Sequence, residues 1–220
     1  VFYLPNGVNP PPPRPEPPAG TRPTMLLYTR FFEFDLDRLW RIVADVRERL
    51  PDARLIVIGA GFNQEETQLL ALARGAGWQV SEAWPPDSES DLIYAGWGTD
   101  ENLPLAFGLT DVALYPFDDT LLNRTKCPMK LMDLQAAGLP VVADAVGQIA
   151  ETLTPGATGL LVPPGDEGAF TDAVVMLLST PLRCRTMGRA AASSIPRRFD
   201  WDRLATVAES AYLRAANRTV

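Results

Sequence analysis

A chain of 220 residues with 46 % hydrophobic content carries enough apolar material for one sizeable core. Its net charge of −7 excludes the basic surface on which nonspecific nucleic-acid binding depends. Histidine is absent, which removes the commonest general base and the commonest transition-metal ligand and leaves any chemistry to carboxylates, Lys, Tyr or Cys.

Two cysteines, Cys127 and Cys184, make no disulfide framework and read as free thiols of a reducing, cytoplasmic compartment. No apolar run approaches a membrane span, and no signal-peptide pattern stands at the start. The sequence opens at Val1 in what reads as mid-protein sequence, so a fragment is expected.

In chain order, Val1 to Leu4 predicts a short strand and Pro5-Asn6-Gly7 a turn. Between Pro10 and Pro18, seven of nine residues are proline, which favours polyproline II. This run is either a semi-rigid linker or a ligand for a proline-binding module. The apolar run Met25–Thr29 predicts a buried strand with Arg30 at its carboxyl end. Leu36, Leu39, Trp40, Val43, Val46 and Leu50 fall at helical spacing. Leu55–Ile58 is the next strand and runs into Gly59-Ala60-Gly61. Asn63 with Glu66 predicts a capping box for a helix that stops at Gly75 and Gly77.

Short strands follow within Trp78–Ala83 and Leu92–Ala95, then a helix over Glu101–Gly108 and a strand over Val112–Tyr115. The stretch Asn123–Pro140 places a cationic loop before a helix with Pro128 at its first position and Gly138 at its end. Such a helix N-terminus is a natural anion site, with backbone donors expected from Lys126, Cys127 and Met129. A strand over Leu139–Ala143, a helix over Gln148–Leu153 and a strand over Leu160–Val162 come next. Three helices finish the chain, with Asp166 capping the first, Thr180-Pro181 starting the second and Asp200 capping the third.

Strand–helix alternation predicts an α/β fold: a single Rossmann-like, doubly wound, mostly parallel sheet with helices on both faces. The boundaries expected are 1–24 for a crossover strand and proline-rich linker, 25–199 for the domain and 200–220 for a C-terminal helix. In such sheets ligands bind beyond the carboxyl ends of the strands at the topological switch point. That rule selects Arg30, Gly59–Gly61, Gly96–Gly98, Pro116–Lys126 and Asp144–Gly147. The lone Gly59-Ala60-Gly61 lacks a third glycine and is a weak dinucleotide signal. Asp35-Leu36-Asp37 and Asp200-Trp201-Asp202 spell a paired-aspartate pattern, but both stand at helix starts, where capping explains them better. Lys130 and Asp133 share a helix face, either as a local ion pair or with Asp133 on ribose hydroxyls and Lys130 near phosphate. Arg183, Arg185, Arg189, Arg197 and Arg198 form a basic patch, either a solvated helix face or a contact for an anionic membrane.

The motifs in this order resemble the C-terminal, donor-binding domain of group 1 glycosyltransferases of the two-domain GT-B architecture. Tyr3 to Asn9 is similar to the family's "PNGVD" crossover, and Leu27-Tyr28-Thr29-Arg30 to its strand ending in Gly-Arg. Ile56–Gly61 fits the second strand, Asp111–Pro116 fits "aDvallPS" and Asp133–Pro140 fits "EAMAAGLP". Thr158–Asp166 fits "tGlLvppgd", and Phe199-Asp200-Trp201 fits the start of the final helix.

The resemblance implies transfer of a sugar from a nucleotide diphosphate, commonly with retention, without an essential metal or cofactor, to an acceptor held by a missing N-terminal domain. It implies a diphosphate role for Arg30, a ribose role for Asp133 and a base near Gly96 and Trp97. The family's first signature Glu falls on Thr125, and its lysine after the Arg is missing. Lys126 and Lys130 are then the expected replacements. The donor-site set is Arg30, Gly96, Trp97, Thr125, Lys126, Cys127, Met129, Lys130 and Asp133, with no catalytic residue assigned. Two alternatives remain open: a non-catalytic nucleotide-binding module and a sugar-nucleotide epimerase of the same plan.

Overall fold

The computed structural model describes residues 2–9, 14 and 21–217. The strands are β1 Thr24–Tyr28, β2 Arg54–Ile58, β3 Val80–Ser81, β4 Leu92–Tyr94, β5 Val112–Tyr115, β6 Val141–Asp144 and β7 Gly159–Val162. The helices are α1 Leu36–Arg49, α2 Glu65–Gly75, α3 Asn102–Leu109, α4 Leu121–Arg124, α5 Met129–Ala136, α6 Ile149–Thr152, α7 Glu167–Leu178, α8 Pro181–Phe199 and α9 Trp201–Ala216.

All strands pair in parallel in the order β3-β4-β2-β1-β5-β6-β7. The order reverses between β1 and β5, so the switch point lies at their carboxyl ends. Side chains alternate across the strands. Met25, Leu27, Leu55 and Val57 face a core closed by α1, α2 and α7, with Ile42 and Phe170 at its centre. Leu26, Ile56, Ile58 and Ala113 face the opposite core, closed by α3, α5 and α6. A third cluster joins Val8, Met132, Ala136, Ile195 and Phe199, pinning α5 to α8.

Four local expectations change. Phe2 to Leu4 form no strand; pairing falls instead at Val8, whose N–H donates to Phe199 O at 2.8 Å. The chain can run there because Gly7 lies flat on the Trp201 ring, where a Cβ would meet the indole at 2.5 Å. The Asn63–Glu66 capping box does not form. The chain turns left-handed at Gln64 (φ 60°), and Glu66 reaches further back to the Gly61 N–H at 2.8 Å.

Pro128 is the N-cap of α5 rather than its first helical residue, because its ψ of 64° is not helical. Sequence reading also missed α4, whose Asn123 N–H is capped by the Thr120 hydroxyl at 3.2 Å. The proline-rich run lies outside the described residues except for Arg14, which donates to Thr110 O at 2.5 Å and Phe107 O at 3.2 Å.

The aspartates at helix starts act as caps. Asp35 accepts from the Arg38 N–H, Asp166 from Ala169 N–H, and Asp200 from Asp202 and Arg203 N–H. Cys127 and Cys184 are free thiols, and burial pushes the Cys184 thiol up to about 12. Among the described residues no helix is long and apolar enough to cross a membrane.

Candidate functional site

Loops that follow β1, β2, β4 and β5 meet at the switch point. The first leaves β1 through Thr29, whose hydroxyl accepts from Phe31 N–H at 3.0 Å and donates to Glu33 Oε2 at 3.4 Å. Phe31 is left-handed (φ 66°) and buried, so the loop doubles back and carries Arg30, Phe32 and Glu33 around the crevice. The sharp approach of β2 to this loop depends on Gly59 (φ 117°), where a Cβ would meet Thr29 O at 1.8 Å. The Thr29 hydroxyl is thus the group that folds the loop.

Arg30 lies between two aromatic faces. Its guanidinium carbon is 4.8 Å from the Trp97 ring centroid and 5.2 Å from that of Phe62, and its buried Nε has no hydrogen-bond partner. Cation–π attraction at such distances holds the charge without consuming its N–H donors. Trp97 is 53 % and Phe62 72 % exposed, so both rings present open faces. The Gly96–Trp97 turn is fixed by the Asn102 amide, which donates to Trp97 O at 2.8 Å and Ala95 O at 3.1 Å.

The loop between β5 and α5 brings Lys126. Its ammonium lies 3.9 Å over the Phe32 ring and 3.8 Å from Glu33 Oε1, with no hydrogen bond of its own. Burial lowers its pKa, and Glu33 opposes that shift. The loop is anchored by Asn123, whose amide donates to Glu33 O at 2.6 Å and Asp118 O at 2.9 Å.

From α5, Lys130 sits 5.2 Å over the Tyr28 ring. Burial lowers its pKa most; Glu33 and Asp133 pull it up, while Arg30 and Lys126 push it down. All four charges therefore act on one ammonium. Burial raises the Asp133 pKa, with Lys130 opposing. A half-buried carboxylate that lacks strong donors is one with open acceptor capacity.

Several expected members stand differently. Thr125 is exposed, and its hydroxyl donates to Leu122 O at 2.8 Å as the end of α4. Two of the three backbone donors are already engaged, Lys126 N–H with Asn123 O at 3.3 Å and Met129 N–H with Cys127 O at 2.9 Å. The first bond belongs to the turn that ends α4 and the second spans Pro128, and Cys127 is the one of the three not so engaged. The Cys127 and Met129 side chains pack onto the Val8–Ile195 cluster instead. In the basic patch, Arg198 is turned onto α6, where its guanidinium donates to Thr152 O at 3.0 Å and to Glu151 O.

Sequence reading missed Glu33, Phe32 and Phe62 as crevice residues. It also missed the clamp beneath them. Arg38 makes a two-pronged bond to Asp144 at 2.7 and 3.0 Å, both residues buried. Asp144 also accepts from Phe117 N–H at 2.8 Å and Gly165 N–H at 3.3 Å. The adjacent phenylalanines Phe31-Phe32, apolar in a loop, were the one available signal for the aromatic lining.

A parallel sheet with a cationic, aromatic-rimmed crevice at its switch point has the build of a nucleotide-binding α/β domain. The family model of the group 1 glycosyl transferases matches residues 22–180, and the chain belongs to that family. It is 29 % identical, over 216 residues, to the GDP-mannose-dependent alpha-(1-6)-phosphatidylinositol monomannoside mannosyltransferase of Mycobacterium tuberculosis, covering 92 % of this chain and 53 % of that one. The chain thus spans about half the length of the curated relatives it matches.

Among solved structures it is similar in fold to S. aureus TarM in a complex that includes UDP (TM-score 0.72, 12 % identity, 95 % of this chain, 38 % of that one). It is also similar to the C-terminal domain of a group 1 glycosyl transferase, LpcC, from Francisella tularensis (TM-score 0.61, 15 % identity, 84 % of this chain, 89 % of that one). The fold is therefore that of a GT-B glycosyltransferase half, with a sheet that is wholly parallel where the sequence predicts mostly parallel.

Proposed function

We propose that this chain binds the nucleotide-diphosphate sugar of a glycosyltransferase that passes the sugar to an acceptor held by a separate N-terminal domain. One observation carries the reading: Arg30, Lys126 and Lys130 surround the switch point with donors left free, beside Asp133. The three cations take the diphosphate, Asp133 accepts from ribose hydroxyls, and the base lies by Gly96 and Trp97. The Cys127 N–H is the backbone donor toward phosphate, and Thr125 stands where the family resemblance has its first signature Glu, its hydroxyl turned to Leu122 O.

Charge that develops on the leaving diphosphate is stabilised by groups already in place. With three cations supplied by side chains, the transfer needs no metal, and the family pattern implies retention. On this reading the proposed division is 25–199 for the donor domain, 1–24 for the crossover and linker, and 200–220 for a C-terminal segment in which α9 returns toward the acceptor domain. Arg183, Arg185, Arg189 and Arg197 on α8 remain a candidate contact for an anionic membrane. Thr125 in place of an acid favours a second reading, a binding module that has lost transfer; product formation by the full-length protein excludes it. Calorimetric titration with UDP, GDP, ADP and dTDP tests the donor site. Saturable one-to-one binding of at least one is expected, and binding of none sinks the reading.

A further inference from the structure

Glu33 is the one charged crevice residue that donor binding leaves without a task. Its side chain is 12 % exposed, and its Oε1 lies 3.8 Å from Lys126 Nζ. With Lys130, Tyr28 and Phe117 it lines the small cavity at the carboxyl ends of β1 and β5. An anion site thus already contains an anion, set among the same cations that would hold a diphosphate.

The count of charge is informative. Around the crevice stand Arg30, Lys126 and Lys130 against Glu33 and Asp133. In glycosyl transfer the anomeric C1–O bond breaks and its electron pair stays on the β-phosphate oxygen. The acceptor oxygen forms the new bond to C1, and its proton leaves to solvent. The diester diphosphate of the donor carries about two negative charges; the terminal phosphate freed as product titrates near pH 6 and adds about one more at neutral pH. Coulomb repulsion from a fixed carboxylate grows in proportion to ligand charge, and in a half-buried crevice it is weakly screened.

We propose that Glu33 is a charge filter: it disfavours the free nucleoside diphosphate more than the sugar-linked diphosphate, and so sets donor-over-product preference and speeds product release. This rests on the donor-site reading above. Glu33 holds its position through the Thr29 hydroxyl and the Lys126 ammonium, so the repulsion is directed at the place where phosphate charge sits.

The test is calorimetry on the full-length protein with two pairs, UDP against UDP-glucose and GDP against GDP-mannose. Wild type is compared with Glu33→Gln, Glu33→Ala and Glu33→Asp. Both neutral variants should tighten the free diphosphate about tenfold and the sugar-linked form about fivefold. Glu33→Asp, which keeps the charge, should retain the wild-type ratio. Glu33→Ala decides the matter where Glu33→Gln does not fold. A ratio that is unchanged in the neutral variants, or that moves toward the sugar nucleotide, overturns the charge filter while leaving the donor site standing. Where wild type binds ADP or dTDP instead, the same comparison is made with ADP against ADP-glucose or dTDP against dTDP-glucose; failure of wild type to bind any of UDP, GDP, ADP and dTDP overturns the donor site, and the filter with it.

Discussion

Lys130 is a lysine whose position works against stability. Burial depresses its pKa below 10.5, so the folded protein pays a charging penalty that is fully present at neutral pH. That penalty fades as pH rises from the folded pKa toward 10.5, where the unfolded chain binds more protons than the folded one. Lys130→Met should therefore raise Tm at pH 7 by about 2–4 °C, with the gain shrinking toward pH 10, and weaken nucleotide binding at the same time. Differential scanning calorimetry across pH and a nucleotide titration read the two effects.

Asp133 has the mirror-image behaviour: its folded pKa is raised, so the penalty appears as pH climbs above 3.8. Asp133→Asn should be neutral to stability near pH 3.5 and stabilising at pH 7, checked by the same scans. Gly59 shows the opposite kind of residue, one needed for geometry alone. Gly59→Ala drives a Cβ into Thr29 O at a left-handed φ and should cost about 3 kcal/mol or more in urea unfolding, because both backbones must move.

At the scale of elements, α1 links the core to the crevice. Its first turn carries Arg38 to Asp144 at the end of β6, and through Asp144 to Phe117 in the loop that bears Lys126. Removing one partner of a buried pair leaves the other uncompensated. Arg38→Met should destabilise by about 3–5 kcal/mol, measured by urea unfolding. The partners of this pair are 106 residues apart, and nothing in either local sequence announces the other. Apolar runs such as Leu55–Ile58 and Val141–Ala143, by contrast, are legible because a strand buried on both faces needs continuous hydrophobicity. The caps at Asp35, Asp166 and Asp200 are equally legible, since each bond spans two or three residues. The start of α5 was misread by one residue because a proline fits both the N-cap and the first turn, and only ψ distinguishes them.

Across the whole molecule, strand order places the crevice. Alternation of strands and helices implies a doubly wound sheet, and the reversal between β1 and β5 then selects Arg30 and the Lys126 loop from among the loops. The places of Arg30 and Lys130 are legible because each stands beside a recognisable strand or helix end, and that of Asp133 because it shares a helix face with Lys130. Glu33, Phe62 and the Trp97–Arg30 stacking were not, since they depend on the left-handed turns at Phe31 and Gln64. The central claim is that this switch-point crevice holds a nucleoside diphosphate through Arg30. Its most direct test is calorimetry with the best-bound of UDP, GDP, ADP and dTDP on wild type and Arg30→Ala. The account predicts a loss of affinity of about tenfold to a hundredfold, as for a charge-assisted hydrogen bond removed from a partly desolvated site, with Tm of the free protein nearly unchanged. Equal affinity in the two proteins would contradict it and place the nucleotide elsewhere.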